Sequence, residues 1–334
     1  MDEYSHQELL NLFRKKGGFF NNNLIIKKDL VSGFSVIAID EIKPNEDLIN
    51  VPFELLISED SIINLNKFKD KFSEIFFKVL NANSNYLDNH PLNCNNLELE
   101  KITNTIKNNK NLYINFKKKF EKFSSLSKER KKIELLAKTR AISIKKIKHY
   151  RYFMPILDFV NYDYSGLPFR VGVKGNVYIK SEKLIKKNEE ILINYSQSQE
   201  AISFYFEHGF IDKSFNSFKI KKNELKLNLK NISTFNKNYF SKDNNIYTFT
   251  EDIDFKHNKF SKNFIKLLEI LPKNQRFASG LKILGAYKNL ISLDNNDNNF
   301  KSSIILKNFY KSVELYLNII DNYLKLITKN YEKN

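Results

Sequence analysis

Phe153-Met-Pro-Ile-Leu-Asp-Phe-Val-Asn-Tyr162 is the most informative stretch of this sequence, together with two segments that follow it. Residues 189–195 read Glu-Glu-Ile-Leu-Ile-Asn-Tyr, and residues 208–212, beginning thirteen positions beyond Tyr195, read His-Gly-Phe-Ile-Asp. The middle segment is typical of a short apolar strand that ends in a tyrosine. Such a tyrosine is usually a core residue, so a functional interpretation depends on the order of all three segments along the chain.

The hydrophobic pattern around these segments predicts strands, a helical stretch, more strands and a helical tail. The predicted helices are residues 3–16, a series within 59–149 whose clearest member is 127–148, residues 198–208, 259–292 and 300–332. The predicted strands are residues 24–26, 34–39, 47–51, 169–173, 176–180 and 190–194, with weaker β patterns near 217–229 and 246–250. This order favours an α+β domain with helical additions.

Two local patterns add detail to this prediction. Residues 81–96 are rich in asparagine, which indicates a surface loop. In the last predicted helix, apolar side chains recur at helical spacing and should share one face. They are Ile305, Phe309, Tyr316, Ile319, Ile320, Tyr323 and Ile327.

In their order and spacing, these segments resemble the SET-domain protein methyltransferases, in the branch of the Rubisco large-subunit lysine methyltransferase. That branch shows Pro-x-x-Asp-x-x-Asn-His, then Gly-Glu-x-x-x-x-Tyr-Gly, then Tyr-Gly-Phe. The earlier part agrees as well. It contains Gly17-Gly18-Phe19, Ser32-Gly33-Phe34, Ala38 to Ile42, Val51-Pro52 and Thr139-Arg140-Ala141, the last of which is similar to a Ser-Arg-x-Phe element. The resemblance covers roughly residues 17–212.

The resemblance implies an α+β fold in which a SET-type cluster of small β-sheets carries a helical insert and a mainly helical C-terminal region. The SET domain would span residues 1–215, with β portions at about 17–58 and 150–215 and the insert at about 59–149. Residues 216–334 would form a region of the kind that binds the protein substrate in this branch.

The resemblance also implies S-adenosylmethionine as cofactor and assigns site residues. Tyr195 would be the catalytic tyrosine, and His208 and Phe210 would lie beside the channel for the target side chain. No residue is assigned to a metal. The cofactor would be held by Ser32, Gly33, Phe34, Arg140, Asp158, Asn161 and Tyr162.

The implied function is S-adenosylmethionine-dependent methylation of a protein side chain, a lysine, with histidine as an alternative target. Several positions differ from the branch pattern, among them Tyr162 in place of its histidine, Ser196 in place of its glycine and His208 in place of its tyrosine. A non-catalytic SET-like protein-binding module therefore stays open as an alternative. Taken alone, Asn161 could be a turn residue, Arg140 a solvated or paired arginine, and His208 a helix C-terminal residue interacting with the dipole.

The charge of the chain raises a second alternative, a basic protein that binds nucleic acid. Lys and Arg number 55 against 38 acidic residues, a formal net charge of +17. Only six of the basic residues are arginines, and the lysines are spread along the chain. This pattern is typical of a solvated lysine-rich surface. We therefore expect only unspecific, salt-sensitive contact with nucleic acid.

Other functional classes lack their sequence signals. No apolar run approaches the roughly 20 residues of a membrane span. The N-terminus shows no signal-peptide pattern. The chain lacks a phosphate-binding glycine loop and a His-Glu-x-x-His motif. The lone Cys94 indicates a reducing compartment. We expect a cytoplasmic protein with a protein substrate, no membrane contact and no metal; the sequence does not indicate an oligomeric state.

Overall fold

A computed structural model describes most of the chain. The described residues are 4–29, 33–63, 70–82, 84–144, 151–194, 200–212, 215, 218–220, 226–228, 240–243, 246–249, 253–256, 259–260, 262–269, 273–291 and 303–331. The chain divides into two compact units. The first contains Met1–Asp88 and Ser125–Ser196, and the second contains Asn89–Ser124 and Gln197–Asn334.

The α-helices of the described residues are α1 Tyr4–Lys15, α2 Glu59–Ile63, α3 Lys71–Ala82, α4 Asn96–Ile106, α5 Lys110–Ser124, α6 Lys128–Arg140, α7 Ala201–His208, α8 Lys262–Glu269, α9 Lys273–Lys288 and α10 Ile304–Tyr331. Short 3-10 helices lie at Phe53–Leu55, Asn85–Asn89, Pro91–Asn93 and Leu157–Phe159. None of these helices is long and apolar enough to cross a membrane.

The strands of the described residues are β1 Phe19–Phe20, β2 Leu24–Asp29, β3 Gly33–Ala38, β4 Asp47–Val51, β5 Ile57–Ser58, β6 Ile142–Ser143, β7 Arg151–Phe153, β8 Asn161–Pro168, β9 Arg170–Val171, β10 Val177–Lys180, β11 Leu192–Asn194, β12 Phe218–Ile220, β13 Lys226–Asn228, β14 Phe240–Asp243, β15 Ile246–Phe249, β16 Ile253–Lys256 and β17 Lys259–Phe260.

The first unit is a cluster of small sheets. An antiparallel sheet has the order β1-β4-β10-β9, and a second antiparallel sheet has the order β5-β7-β6. Strands β2 and β3 form an antiparallel pair, whereas β8 and β11 pair in parallel. Strands β9 and β10, which lie within the predicted strands 169–173 and 176–180, form a hairpin in which Gly175 has φ +84. The positive φ explains why a glycine stands at this turn.

The parallel pair β8–β11 brings two backbones unusually close together. A Cβ added to Gly166 would lie 2.7 Å from the carbonyl carbon of Ile193. No side chain fits at that distance, so the glycine permits the close approach. The register shifts here, because Leu192 pairs with Asn161 whereas Ile193 pairs with Leu167. The strand that precedes Tyr195 is thereby held against both ends of β8.

The predicted helix 127–148 is wrong in its second half. Its beginning is correct, since Ser127 caps α6 by accepting a hydrogen bond from the amide of Arg130. The helix ends at Arg140 because Ala141 is extended, with φ −83 and ψ 146. Ile142 and Ser143 then add β6 to the sheet beside β7. Ile147 lies outside the described residues.

The prediction of a surface loop at 81–96 is also wrong for most of this segment. It contains two 3-10 helices, and the side chain of His90 is completely buried. The His90 ring accepts a hydrogen bond from the amide of Leu92 and caps the second of these turns. Asn95 begins α4 with a reciprocal capping box to Glu98. The asparagines therefore lie in or next to short helical turns and caps, and several apolar residues between them belong to the core.

The second unit is mainly helical and adds β12 to β17 as two three-stranded sheets. Helix α10 packs against α9, α7 and α4. All seven apolar residues predicted to share one face of this helix are buried, which confirms that prediction: Ile305, Phe309, Tyr316, Ile319, Ile320, Tyr323 and Ile327. The stripe is covered by the chain's own second unit, so it is not an exposed face for a partner.

Candidate functional site

The segment before β8 places a carboxylate in the interior of the first unit. Asp158 lies in the 3-10 helix Leu157–Phe159 and is 6% exposed. Its amide donates to the carbonyl of Met154 at 2.9 Å, and its Oδ2 accepts from the amide of Met154 at 3.1 Å. Ile156 immediately precedes this turn with φ 72 and ψ −48, a strained conformation for a β-branched residue. Strain of this kind persists only where the surrounding structure enforces it.

Arg140 connects this buried turn to the end of the helical stretch. Its Nη1 donates to the backbone carbonyl of Asp158 at 2.5 Å. Helix α6 ends at Arg140, so the guanidinium projects from a helix terminus toward the turn. Arg140 is half-buried, and this carbonyl is one of its partners, which agrees with the interpretation as a paired arginine.

The environment of Asp158 changes its acidity. Burial raises the pKa of its carboxyl from 3.8 to about 7, because desolvation disfavours the charged form. The positive charge of Arg140 and the hydrogen bond from Met154 act in the opposite direction and lower the pKa. Desolvation is the largest of these effects, so the carboxyl titrates near neutral pH.

Strand β3 contributes an aromatic ring to the same region. Phe34 is 9% exposed, and its ring centroid lies 4.7 Å from that of Phe159. Gly33 has φ +86, a conformation that glycine adopts without strain, at the first position of the strand. The pairing of β3 with β2 and with residues 188–191 fixes the direction of the Phe34 ring toward Phe159.

Asn161 begins β8 and is joined to the middle segment, residues 189–195. Its Nδ2 donates to Oε1 of Glu190 at 2.7 Å. In the ladder, Asn161 stands opposite Leu192. The strand that precedes Tyr195 therefore lies beside the first residue of β8.

One cavity is lined by residues from all of these elements. Its volume is about 10 Å³, and its walls are Phe34, Val79, Leu80, Arg140, Asp158, Phe159 and Asn161. Such a space holds roughly one water, so a larger ligand must extend out of the cavity or displace a lining side chain. The structure thus brings together four of the residues named from sequence: Phe34, Arg140, Asp158 and Asn161.

Two lining residues were not anticipated from sequence. Val79 and Leu80 belong to α3, where six apolar side chains are buried. The sequence shows them only as part of an ordinary apolar stripe on a helix. Such a stripe does not reveal which of its residues face a cavity. The helical stretch therefore forms part of the wall of the candidate site.

The remaining predicted residues are placed as follows. Tyr162 follows Asn161 in β8, is half-buried and is not among the lining residues. Ser32 and Tyr195 lie outside the described residues. Gly33 is next to Phe34 but does not itself line the cavity. The last described residue before Tyr195 is Asn194, which is buried and donates from Nδ2 to the carbonyl of Tyr164.

His208 and Phe210 belong to the second unit. His208 is the last residue of α7, which Gly209 ends with φ 77, as predicted. The ring of Phe204 lies 4.4 Å from the His208 ring and 5.1 Å from the Phe210 ring. The three rings form an aromatic cluster in which Phe210 is the exposed member, at 37%.

The comparisons with known proteins agree with this geometry at the level of the fold. No family model and no curated protein matches the chain. Among solved structures, the SET domain of LSMT bound to lysine and AdoHcy is similar with a TM-score of 0.54 and 12% identity, over 99% of this chain and 94% of that one. Rubisco LSMT bound to AdoMet is similar with a TM-score of 0.52 and 11% identity, over 99% and 93%.

A third similar structure, Rubisco LSMT bound to sinefungin and monomethyllysine, has a TM-score of 0.54 and 12% identity, over 99% of this chain and 94% of that one. These likenesses extend over nearly the whole chain, including the helical C-terminal region. The α+β fold with a SET-type cluster of small sheets is therefore confirmed.

Proposed function

We propose that this protein is an S-adenosylmethionine-dependent methyltransferase that modifies a lysine side chain of a protein substrate. One observation carries the proposal. Phe34, Arg140, Asp158 and Asn161 lie in separate parts of the sequence, each at a position that the resemblance assigns to the cofactor, and they line one cavity of a SET-type fold. Similar folds bind AdoMet, AdoHcy and lysine.

The chemistry of the cavity suits one end of this cofactor. The Arg140 guanidinium is a donor for a carboxylate, and the Asn161 amide offers a second polar contact. The Phe34 ring supplies an apolar wall. The enclosed volume of about 10 Å³ accommodates only a small part of such a ligand. We infer that the carboxylate of the amino-acid end enters this cavity beside Arg140 and that the rest of the cofactor extends along β3.

The cofactor supplies a methyl group on a positively charged sulfur, and the protein must present a neutral amine to it. A free lysine has a pKa of about 10.4, so the amine needs surroundings that disfavour the ammonium form. Aromatic rings and carbonyl oxygens provide such surroundings. We assign orientation of the amine to Tyr195 and the channel beside it to His208 and Phe210. Histidine is the alternative target residue.

A non-catalytic SET-like binding module is the second candidate function. Tyr162, Ser196 and His208 favour it, because each replaces a residue of the branch pattern near the cofactor or the substrate. The buried Asp158 and its contact with Arg140 are compatible with either candidate, since this contact does not depend on methyl transfer. Transfer of the methyl group distinguishes them.

For the cellular setting, we propose a reducing cytoplasm and a protein partner. The chain has one cysteine, Cys94, which is buried. Burial raises the pKa of its thiol to about 12, which keeps it in the unreactive thiol form. Among the described residues, no group of three or more His, Cys, Asp or Glu side chains is arranged to hold a metal ion.

The first test is ligand-induced stabilisation. AdoHcy should raise the midpoint of thermal unfolding, because a ligand at 100 times its dissociation constant stabilises the folded state by about 2.7 kcal/mol. Asn161→Ala should abolish most of this shift and leave the unliganded midpoint close to that of the wild type.

The matched control is Asn50→Ala. The Asn50 side chain also makes one amide hydrogen bond in the first unit, with Asn176 at 2.9 Å, but it does not line the cavity. This variant should keep the full shift. No shift of the wild type at millimolar AdoHcy would argue against the proposed function as a whole.

The second test concerns transfer. With radiolabelled AdoMet and lysate from cells that lack this protein, the wild type should label a discrete protein band, and acid hydrolysis should release labelled methyl-lysine. Labelled methyl-histidine would instead identify the alternative target. A protein that binds AdoHcy but labels nothing is the outcome expected for the non-catalytic module.

A further inference from the structure

His90 is a buried histidine of the second unit that none of the assignments above includes. Its side chain is completely buried. Its Nδ1 accepts a hydrogen bond from the amide of Leu92 at 3.2 Å, and its Nε2 lies 3.3 Å from the backbone carbonyl oxygen of Glu207. His90 and Glu207 are 117 positions apart in sequence, so the ring joins two distant parts of the chain through the tertiary fold.

These two contacts determine which ring nitrogen carries the proton. A backbone amide donates and does not accept, so the Nδ1 that faces Leu92 must be unprotonated. A backbone carbonyl accepts and does not donate, so the Nε2 that faces Glu207 must carry hydrogen. The ring of His90 is therefore a neutral imidazole that accepts through Nδ1 and donates through Nε2.

The bond from Nε2 reaches the last turn of α7. Glu207 precedes His208, the final residue of this helix, and carbonyls in the last turn of a helix have no partner within the helix. The side chain of Glu207 is held separately by an ion pair with Lys119 of α5. The end of α7 is thus attached to the rest of the second unit through its backbone as well as through a side chain.

The His90 ring also supports the turn that follows α7. A Cβ added to Gly209 would lie 2.9 Å from Cδ2 of His90 and 3.4 Å from its Cα. The backbone of Gly209 therefore packs directly on His90, and its φ of 77 is a conformation that glycine adopts without strain. Because Phe210 follows this turn, His90 lies beneath the point where the chain leaves the helix.

We propose that His90 is a positioning residue for the substrate channel, which holds the end of α7 so that His208 and Phe210 keep fixed positions beside the target side chain. This inference rests on the proposed function, which assigns these two residues to the channel. Methyl transfer depends on accurate placement of the amine, so a displaced channel wall should lower transfer to the protein substrate. The residues that line the cofactor cavity belong to the first unit, so AdoHcy affinity should not depend on His90.

Two variants separate the two hydrogen bonds of the ring. A glutamine side chain places its amide nitrogen near the position of Nε2, whereas an asparagine side chain places its oxygen near the position of Nδ1. His90→Gln should keep the bond to the Glu207 carbonyl and lose the cap on Leu92, and His90→Asn should do the reverse. In each variant the backbone partner selects the amide orientation, since a carbonyl only accepts and an amide N–H only donates.

The measurement is steady-state methyl transfer to the substrate identified by labelling, with AdoHcy affinity determined by calorimetry in parallel. His90→Asn should lower kcat/KM for the protein substrate about tenfold, because a buried carbonyl loses its donor and the end of α7 moves. His90→Gln should stay within about threefold of the wild type, since it retains that donor. Both variants should bind AdoHcy as the wild type does.

Asn109→Ala is the control for a general loss of stability. Asn109 is also completely buried in the second unit, and its Oδ1 accepts from the amide of Leu112 at 3.1 Å at the start of α5. Loss of this cap should lower the midpoint of thermal unfolding and leave kcat/KM unchanged. An equal loss of kcat/KM in Asn109→Ala and His90→Asn would overturn the inference, because destabilisation alone would then explain the effect.

The protonation of the ring is measured on the wild type without any substrate. Heteronuclear NMR of the imidazole nitrogens, with the His90 ring identified by nuclear Overhauser contacts to Leu92 and Gly209, should show the neutral Nε2–H tautomer at neutral pH. A charged imidazolium or the Nδ1–H tautomer would break one of the two bonds and overturn the inference. This result is independent of activity and of whether the His90 variants fold.

The outcomes of the transfer experiment separate the two claims. Wild-type protein that transfers no methyl group would overturn the proposed function and this inference together. Wild-type protein that transfers, with His90→Asn equal to it, would overturn only the inference. A loss in His90→Gln as large as in His90→Asn would also overturn it, because the bond to Glu207 would then not be the contact that positions the channel.

Discussion

Replacing Tyr195 by phenylalanine is expected to lower methyl-transfer turnover ~10²-fold or more, with little change in AdoHcy affinity. The substitution removes one hydroxyl and keeps the ring. A hydroxyl that orients the nucleophile acts in the transition state, so its loss should affect turnover more than ground-state binding. The expected cost to folding is only ~1 kcal/mol, that of one hydrogen bond.

The described residues around Tyr195 support this expectation, although Tyr195 itself lies outside them. Strand β11 ends at Asn194, which is buried and donates to the carbonyl of Tyr164. The preceding Leu192 stands opposite Asn161. Strand β11 therefore pairs with the strand whose first residue, Asn161, lines the cavity.

The measurement is single-turnover transfer on the substrate identified by labelling, with AdoHcy affinity measured in parallel. Tyr178→Phe is the control, because Tyr178 lies on β10 of the same unit and does not line the cavity. It should retain wild-type turnover. Full turnover in Tyr195→Phe would show that another group orients the amine, and His208 would be the first residue to examine.

Strands and the last helix were predictable from sequence because their patterns agree with their burial. Strand β4 matches its prediction from residue 47 to residue 51, and the long stripe of α10 is buried as expected. In both elements, the local hydrophobic period and the tertiary environment favour the same structure. Turn glycines also marked the ends of elements. Gly175 lies between β9 and β10 and Gly209 follows α7, and both have positive φ.

Predictions failed where no local sequence signal marks the end of a helix or the burial of a segment. Helix α6 ends at Arg140 without a glycine or proline, because the next residues join a sheet with β7, a partner that the local pattern does not reveal. In residues 81–96, composition suggested exposure, but capping by His90 and Asn95 brings the apolar side chains between them into the core. The high asparagine content of this segment does not predict the burial of the apolar residues between the asparagines.

The site was predictable only in part for a similar reason. Phe34, Arg140, Asp158 and Asn161 were identified through ordered motifs, and the structure brings them together. Val79 and Leu80 belong to no such motif. Glu190 corresponds to the glutamate of the Gly-Glu-x-x-x-x-Tyr-Gly pattern, but the motif does not reveal its contact with Asn161. The position of Val79 and Leu80 depends on which face of α3 packs inward, and the hydrogen bond between Glu190 and Asn161 depends on the pairing of distant strands, so both are properties of the assembled fold.

Asp158 should make the stability of the unliganded protein depend on pH. Burial raises the pKa of its carboxyl from 3.8 to about 7, with Arg140 and the Met154 amide lowering it against this effect. Below pH 4 the carboxyl is protonated in the folded and unfolded states alike. Between about pH 4 and pH 7 the folded state retains the proton that the unfolded state loses, so the free energy of unfolding falls as pH rises. The total decrease, reached above the folded pKa, is up to ~4 kcal/mol.

Asp158→Asn should therefore lie close to the wild type in thermal midpoint near pH 4, exceed it modestly near pH 5 and exceed it by several degrees near pH 8.5. The carboxamide carries no charge to desolvate, and its oxygen still accepts from the Met154 amide. Asp40→Asn is the control, since the Asp40 side chain is exposed and its removal should shift the midpoint little at either pH. If the difference between Asp158→Asn and the wild type does not grow with pH, the buried carboxyl is ionised throughout, and Arg140 stabilises its charge more strongly than burial opposes it.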